Sequence, residues 1–174
     1  MTDVERFYAD HRDGVFRYLR RIVGGPDAAR DLTQEVFLRV SRAGMPDATE
    51  IGRRAWLFKI ARNLALNHVR NGHRRPMPVE LGEVVVPATQ ELGFAMRTAI
   101  EALPALDRDV FLLREMAGLS YGEIATACEV TVETVRSRLH QARQSLRAAL
   151  GPALDVREQR GVRCTPAPRD RQDS

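Results

Sequence analysis

The chain has 174 residues, 44% of them hydrophobic and 29% charged, and 27 basic against 23 acidic side chains leave a net charge of +4. That length suits one ordinary domain or two small ones. The composition is that of a soluble globular protein: no apolar run approaches the ~20 residues of a membrane span, and the acidic, amphipathic start MTDVERFYAD is no secretory signal, so a cytoplasmic protein without membrane insertion is expected.

Nearly every segment has helical period and strand-like alternation is almost absent, which predicts an all-α fold. The first helix is expected over residues 3–22, with Val4, Phe7, Tyr8, Val15, Phe16, Leu19 and Ile22 on its core side and Gly24-Gly25-Pro26 ending it. Asp27 is placed to cap a second helix running to about Arg42. On that helix Leu32, Val36, Phe37 and Val40 gather on one side. Leu38 falls on the opposite, polar side, among Asp31, Gln34, Glu35 and Arg42.

A third helix is predicted from about Arg53 to Asn71, stopped by Gly72. Its core side holds Leu57, Ile60, Ala61, Leu64 and His68, with the single tryptophan, Trp56, also read as core. Its other side presents Lys59, Arg62, Asn63, Leu66, Asn67 and Arg70 and continues into Arg74 and Arg75. Amides set between cations suit a nucleic acid whose bases are hydrogen-bonded while its backbone is neutralised; a solvated polar face has the same composition. The stretch HRRPMPVELGEVVVPAT, with Pro76, Pro78 and Pro87 and no helical period, reads as a linker over 73–89 between a domain at 1–72 and one at 90–150.

Beyond it, helices are expected at Gln90–Ala102, broken by Pro104, and at Leu106–Met116. Residues 118–150 then read as a helix-turn-helix with helices at 121–128 and 132–148. Ser120 and Glu123 form a capping box with Leu119 and Ile124 as its hydrophobic staple, and Thr131 caps the second helix with Val130 against Val135. Val132, Val135, Leu139, Ala142 and Leu146 form the core seam, and the outward side offers Glu133, Thr134, Arg136, Ser137, Arg138, His140 and Gln141. Arginine can read guanine edges and glutamine adenine in a major groove, while serine and threonine suit phosphates; the plain alternative is a helical hairpin with a solvated face. Glu129 stands in the turn where glycine is common, a position costly for a residue with a Cβ if the backbone is left-handed. From Gly151 to residue 174 the sequence reads as a disordered tail.

Charge is uneven: residues 1–75 carry net +6, 76–118 net −4 and 119–174 net +2. Lys59 is the only lysine, so the arginine excess favours a nucleic-acid partner only weakly. Cys128 and Cys164 share no motif and read as ordinary thiols. His11, His68, His73 and His140 lack metal-ligand spacing, no serine or cysteine lies in a nucleophile motif, and Asp107 and Asp109 sit on one helix with no partner base. Neither catalysis nor a cofactor is expected.

Taken in order, DAARDLTQEVFLRVSRA, AWLFKIARNLALNHVRNGHRR, a linker, and ALPALDRDVFLLREMAGLSYGEIATACEVTVETVRSRLHQARQSLRAAL resemble the extracytoplasmic-function (ECF) group of bacterial RNA polymerase sigma factors, over about residues 5–150. The resemblance implies that the second helix docks on the clamp helices of the polymerase beta-prime subunit, making Leu38 with Asp31, Gln34, Glu35 and Arg42 an interface patch. Ser41, where relatives often carry an aromatic, departs from that pattern. The third helix and the loop before it, AGMPDATEIGRR, would open the minus-ten element and hold a flipped base near Asn63 and Asn67, at an extrusion cost of a few kcal/mol, with Lys59, Arg62, Arg70, Arg74 and Arg75 facing the strand. The helix-turn-helix would read the minus-thirty-five element and sit on the beta-subunit flap. The linker would thread near the polymerase active centre, where Glu80 and Glu83 could mimic nucleic-acid charge. Core RNA polymerase, promoter DNA and an anti-sigma factor are the implied partners. The alternative function is a stand-alone helix-turn-helix regulator; an adaptor that binds polymerase without DNA fits the basic third helix less well.

Overall fold

Glycine and proline divide the chain into helices whose apolar stripes close against one another. The computed structural model describes residues 3–72 and 87–159, with side chains at 3–72 and 93–151. Among these residues the fold is all-α: α1 (Asp3–Val23), α2 (Pro26–Ala43), α3 (Glu50–Arg70), α4 (Pro87–Glu101), α5 (Ala105–Glu115), α6 (Tyr121–Cys128) and α7 (Val132–Gln159). Helices α1–α3 form one helical domain and α4–α7 a second that carries the helix-turn-helix; α3 packs along α6, so the two domains lie against each other.

Local chemistry explains most helix ends. Gly24 takes φ 81° after α1, and Pro26 opens α2 at its first turn. The expected Asp27 cap is not formed: Gly25 is the N-cap, and Asp27 lies one residue into the helix, paired with Arg30 at 3.0 Å. A proline at the first helical position already has the required φ and lacks the N–H a cap would satisfy. Helix α3 starts three residues earlier than the sequence suggests, because Thr49 Oγ1 accepts the Gly52 N–H at 3.2 Å. Helix α4 starts at Pro87, inside the expected linker, by the same first-turn preference of proline.

At α6 the capping box is complete: Glu123 N donates to Ser120 Oγ at 3.3 Å and Ser120 N to Glu123 Oε2 at 2.7 Å, with Leu119 and Ile124 fully buried beneath. The helix closes in a Schellman arrangement, Val130 N to Ala125 O at 3.0 Å and Glu129 N to Thr126 O at 3.4 Å, with Glu129 left-handed at φ 57°. Helix α7 does not stop at 148 as expected but runs to Gln159, so residues 151–159 are helical and not part of a disordered tail; they include strong helix formers such as Ala153, Leu154 and Gln159. Residues 73–86 and 160–174 lie outside the described residues, and with them most of the expected linker, Arg74, Arg75, Glu80, Glu83, His73 and Cys164.

The core runs through both domains. Val15, Leu19, Val36, Val40, Leu57 and Ala61 are fully buried in the first, and Val110, Leu112, Leu113, Val135 and Ala142 in the second. Tyr18, expected on no core side, is fully buried edge-on to Phe58 at 5.9 Å between ring centroids. Tyr8 lies 38% exposed instead of in the core, and Trp56 packs against the core while partly exposed.

Candidate functional site

Three surfaces carry the residues singled out by sequence. The first lies on α1 and α2. Leu38 is 49% exposed on α2. Asp31, Gln34 and Arg42 are exposed beside it, and Glu35 is half-buried, accepting from Arg39 Nε at 2.7 Å. Leu38 is not isolated: with Gln34, Phe37, Val4, Glu5 and Tyr8 it lines an apolar groove between the two helices. The Tyr8 ring stands edge-on to Phe37 with centroids 4.7 Å apart. Val4 and Tyr8 belong to this surface, although their helical spacing assigns them to the core, while Phe7 in the same turn is buried.

The second surface is the polar side of α3. Asn63, Asn67 and Arg70 are exposed, and Arg70 Nη2 donates to Asn67 Oδ1 at 2.5 Å, so amide and cation act as one unit. Lys59 and Arg62 do not face solvent in the same way. Lys59 Nζ lies 2.7 Å from Glu129 Oε1 in the turn after α6. Arg62 Nε donates at 2.9 Å to Asp109 Oδ2 on α5, with Arg62 only 16% and Asp109 3% exposed. Asp109 thus has a cationic partner that its sequence neighbourhood does not reveal, and Asp107 lies 3.5 Å from Arg138. Arg54, near the start of α3 and unmarked in the sequence, donates to the Ala117 carbonyl at 2.5 Å and stands 3.7 Å from Glu123 Oε1.

Electrostatics at this junction follow from burial. Burial pushes the Asp109 carboxyl above its ordinary value, with Arg62 pulling the other way. Burial raises the neighbouring Cys128 thiol to about 11. Glu129 is held below its usual range by the hydrogen bond and charge of Lys59.

The third surface is the outer side of α7. Glu133, Arg136, Ser137, His140 and Gln141 are exposed. Thr134 is partly buried and serves the cap, its N–H donating to Thr131 Oγ1 at 3.2 Å. Arg138 leans toward Asp107 and also donates to Gln141 Oε1 at 3.4 Å. Arg136 and His140 share a polar groove with Tyr121, Arg143 and Arg147. The last two extend the basic stripe at seven and eleven residues from Arg136, a spacing the sequence shows once the helix is followed beyond its first turns. Among the described residues no group of three His, Cys, Asp or Glu can hold a metal ion, and no helix is long and apolar enough to cross a membrane.

Comparison with known proteins matches two stretches of the chain to family descriptions, "Sigma-70 region 2" over residues 7–75 and "Sigma-70, region 4" over residues 93–146. The chain is 34% identical to the ECF RNA polymerase sigma factor SigE of Mycolicibacterium smegmatis, over 84% of this chain and 61% of that longer protein. It is 33% identical to the ECF RNA polymerase sigma factor SigC of Mycobacterium tuberculosis, over 86% of this chain and 84% of SigC. Its fold is shared with CnrH, solved in complex with the cytosolic domain of CnrY, at TM-score 0.68 and 24% identity over 86% of this chain and 88% of that one. It is shared also with the sigma factor RpoE of Bartonella quintana, solved with the anti-sigma factor NepR, at TM-score 0.65 and 20% identity over 87% and 98%. With both regions present in order and a likeness that spans most of SigC, this chain belongs to the ECF RNA polymerase sigma factors.

Proposed function

We propose that this protein binds core RNA polymerase in the cytoplasm and directs it to specific promoters, helping to melt the minus-ten region. The observation that carries the reading is the half-exposed Leu38 in an apolar groove on α2, on the same chain as an α7 whose outer side is basic and exposed. A leucine ringed by Asp31, Gln34, Glu35 and Arg42 is suited to anchor a helical partner such as the beta-prime clamp helices, the polar rim fixing its register. Residues 1–72 then form the polymerase-binding and minus-ten domain, joined by 73–89 to the minus-thirty-five domain at 90–150, which also meets the beta flap.

On this reading Asn63 and Asn67 contact an extruded base while Lys59, Arg62 and Arg70, with Arg74 and Arg75 beyond the described residues, neutralise the strand. Arg136, His140 and Gln141 read duplex edges, with Glu133, Thr134, Ser137 and Arg138 completing that surface through base, phosphate or supporting contacts. An anti-sigma factor restrains the protein when its promoters are silent.

The test is co-elution of the purified chain with bacterial core RNA polymerase, followed by run-off transcription from genomic fragments. Stoichiometric binding and new start sites support the reading. A chain that ignores core enzyme yet shifts duplex DNA alone is a stand-alone helix-turn-helix regulator instead.

A further inference from the structure

Where α5 packs against α7, a carboxylate is buried. Asp107, in the first turn of α5, is only 3% exposed, and its Oδ1 makes no hydrogen bond among the described residues. A carboxylate held out of water needs a counter-charge. Arg138 of α7 supplies it, with Nη1 3.5 Å from that oxygen. The same Nη1 donates to Gln141 Oε1 at 3.4 Å, about one turn further along α7. We propose that Asp107 is a specificity-determining residue: it holds Arg138 with its charge offset and its Nε–Nη2 edge free, so that Arg138 reads a guanine in duplex DNA instead of gripping phosphate. The proposal rests on the reading of α7 as the DNA-facing helix.

The donors left over decide what Arg138 can recognise. A guanidinium meets a planar acceptor pair through its Nη1–Nη2 end or its Nε–Nη2 side. Nη1 is committed to Asp107 and Gln141, whereas Nε and Nη2 have no partner among the described residues. The remaining side is a fork that fits O6 and N7 of guanine. Arg138 is the seventh residue of α7, in the part of a recognition helix that enters the major groove, and its side chain is 43% exposed, so that fork is accessible. Gln141 is oriented by the same contact. Because a guanidinium offers only donors, the amide oxygen faces it, and the amide N–H groups are left for an acceptor on an adjacent base.

Charge separates the two possible targets. Attraction to phosphate depends on net positive charge, whereas base reading depends on the direction of individual donors. The Asp107 carboxylate offsets the charge of Arg138 and leaves its directional donors in place, a combination that serves a base edge and weakens a phosphate grip. Arg136, two residues earlier, is the contrast: exposed, without an ion pair among the described residues, and in one groove with His140, Arg143 and Arg147, it keeps its full charge for the backbone. An acidic residue in a first turn also favours the helix dipole. That role needs neither burial nor an arginine on a second helix, so it does not account for the position of Asp107.

The test selects a randomised duplex library with the full chain bound to core RNA polymerase, sequences the enriched DNA, and titrates a mixed-sequence duplex with the full chain at several salt concentrations. The wild type should enrich a motif containing a guanine whose preference Arg138→Lys lowers about five- to tenfold, since lysine keeps the charge and loses the fork. Asp107→Asn should lower the preference at that same position and leave the others unchanged. It should also tighten binding to the mixed-sequence duplex and steepen its salt dependence by about one unit of slope, as the charge of Arg138 is uncovered. The double variant should be no less selective there than Arg138→Lys alone, which shows that Asp107 acts through Arg138. Arg138→Lys alters a part-exposed side chain, so it reads the position even where Asp107→Asn unfolds the domain. An even loss of preference across the motif, an unchanged salt slope in Asp107→Asn, or a position sensitive to Arg138 that is not guanine overturns the proposal. Failure to bind core polymerase overturns the functional reading instead; the selection then uses the chain alone, and the same single-position change supports the proposal while no enrichment overturns it.

Discussion

Arg62 of α3 and Asp109 of α5, 47 residues apart in sequence, form a hydrogen-bonded ion pair of 2.9 Å at the seam between the two domains, both side chains largely shielded from water. Each is shielded by the packing of α3 against the second domain, and the opposite charge of the other offsets the cost of that burial. In a double-mutant cycle with Arg62→Ala and Asp109→Ala, read by thermal unfolding, a coupling of at least ~1 kcal/mol is expected, since removing one partner strands the other. The exposed Lys59–Glu129 pair should show no resolvable coupling in the same assay. Equal coupling at both pairs would mean that burial does not distinguish them.

Leu38→Asp places a charge in the groove formed with Tyr8 and Phe37. Because Leu38 is half exposed already, Tm should move by no more than about 2 °C. Affinity for core RNA polymerase should fall by roughly 30-fold or more, as for a central apolar anchor. Tyr8→Ala should weaken binding in the same direction, since its ring forms the opposite wall. A titration of labelled core enzyme with each variant measures both, and undiminished binding would remove the groove from the interface.

The two ends of α6 should respond in opposite senses. Ser120→Ala deletes the acceptor of the Glu123 N–H and should destabilise the second domain by about 1 kcal/mol. Glu129→Gly leaves the Schellman hydrogen bonds intact at φ 57° while removing the Cβ clash, and should raise Tm by about 1–3 °C. Calorimetry of the two variants decides the matter; a fall in Tm for Glu129→Gly would show that its side-chain contacts outweigh the backbone relief.

His11 gives the fold a pH dependence. It packs edge-on to Phe7 at 4.5 Å, and burial, with Arg54, lowers its pKa; Glu50, Asp10 and Glu123 pull the other way. A histidine whose native pKa is depressed binds fewer protons folded than unfolded. Its contribution to stability is therefore fully present above about pH 6.5 and is lost as pH falls below that value through the lower native pKa. Between pH 7.5 and 5.5 the wild type should lose more Tm than His11→Leu, measured in the same buffers; identical losses would assign the acid sensitivity to other groups.

Helices, turn chemistry and the identity of the polar faces are legible in the order of residues. The capping box at Ser120 and Glu123, the staple beneath it and the seam of Val135, Leu139 and Ala142 are local patterns whose chemistry acts within one or two turns, so they can be read along the chain. Leu38 is conspicuous for the same reason, because a single helix suffices to show that it faces away from Val36 and Val40. The helix starts at Glu50 and Pro87, and the run of α7 past Gly151, escape such a reading because competing caps and breakers differ by only about 1 kcal/mol. Pairing across distance belongs to the packed molecule. That Arg62 meets Asp109, that Lys59 meets Glu129, that Tyr18 is buried and Tyr8 is not, all depend on which helix covers which. Periodicity specifies the direction in which a side chain leaves its helix. Its partner is set by the packing of elements far apart in the chain, and charges acquire their energetic weight only where that packing excludes water.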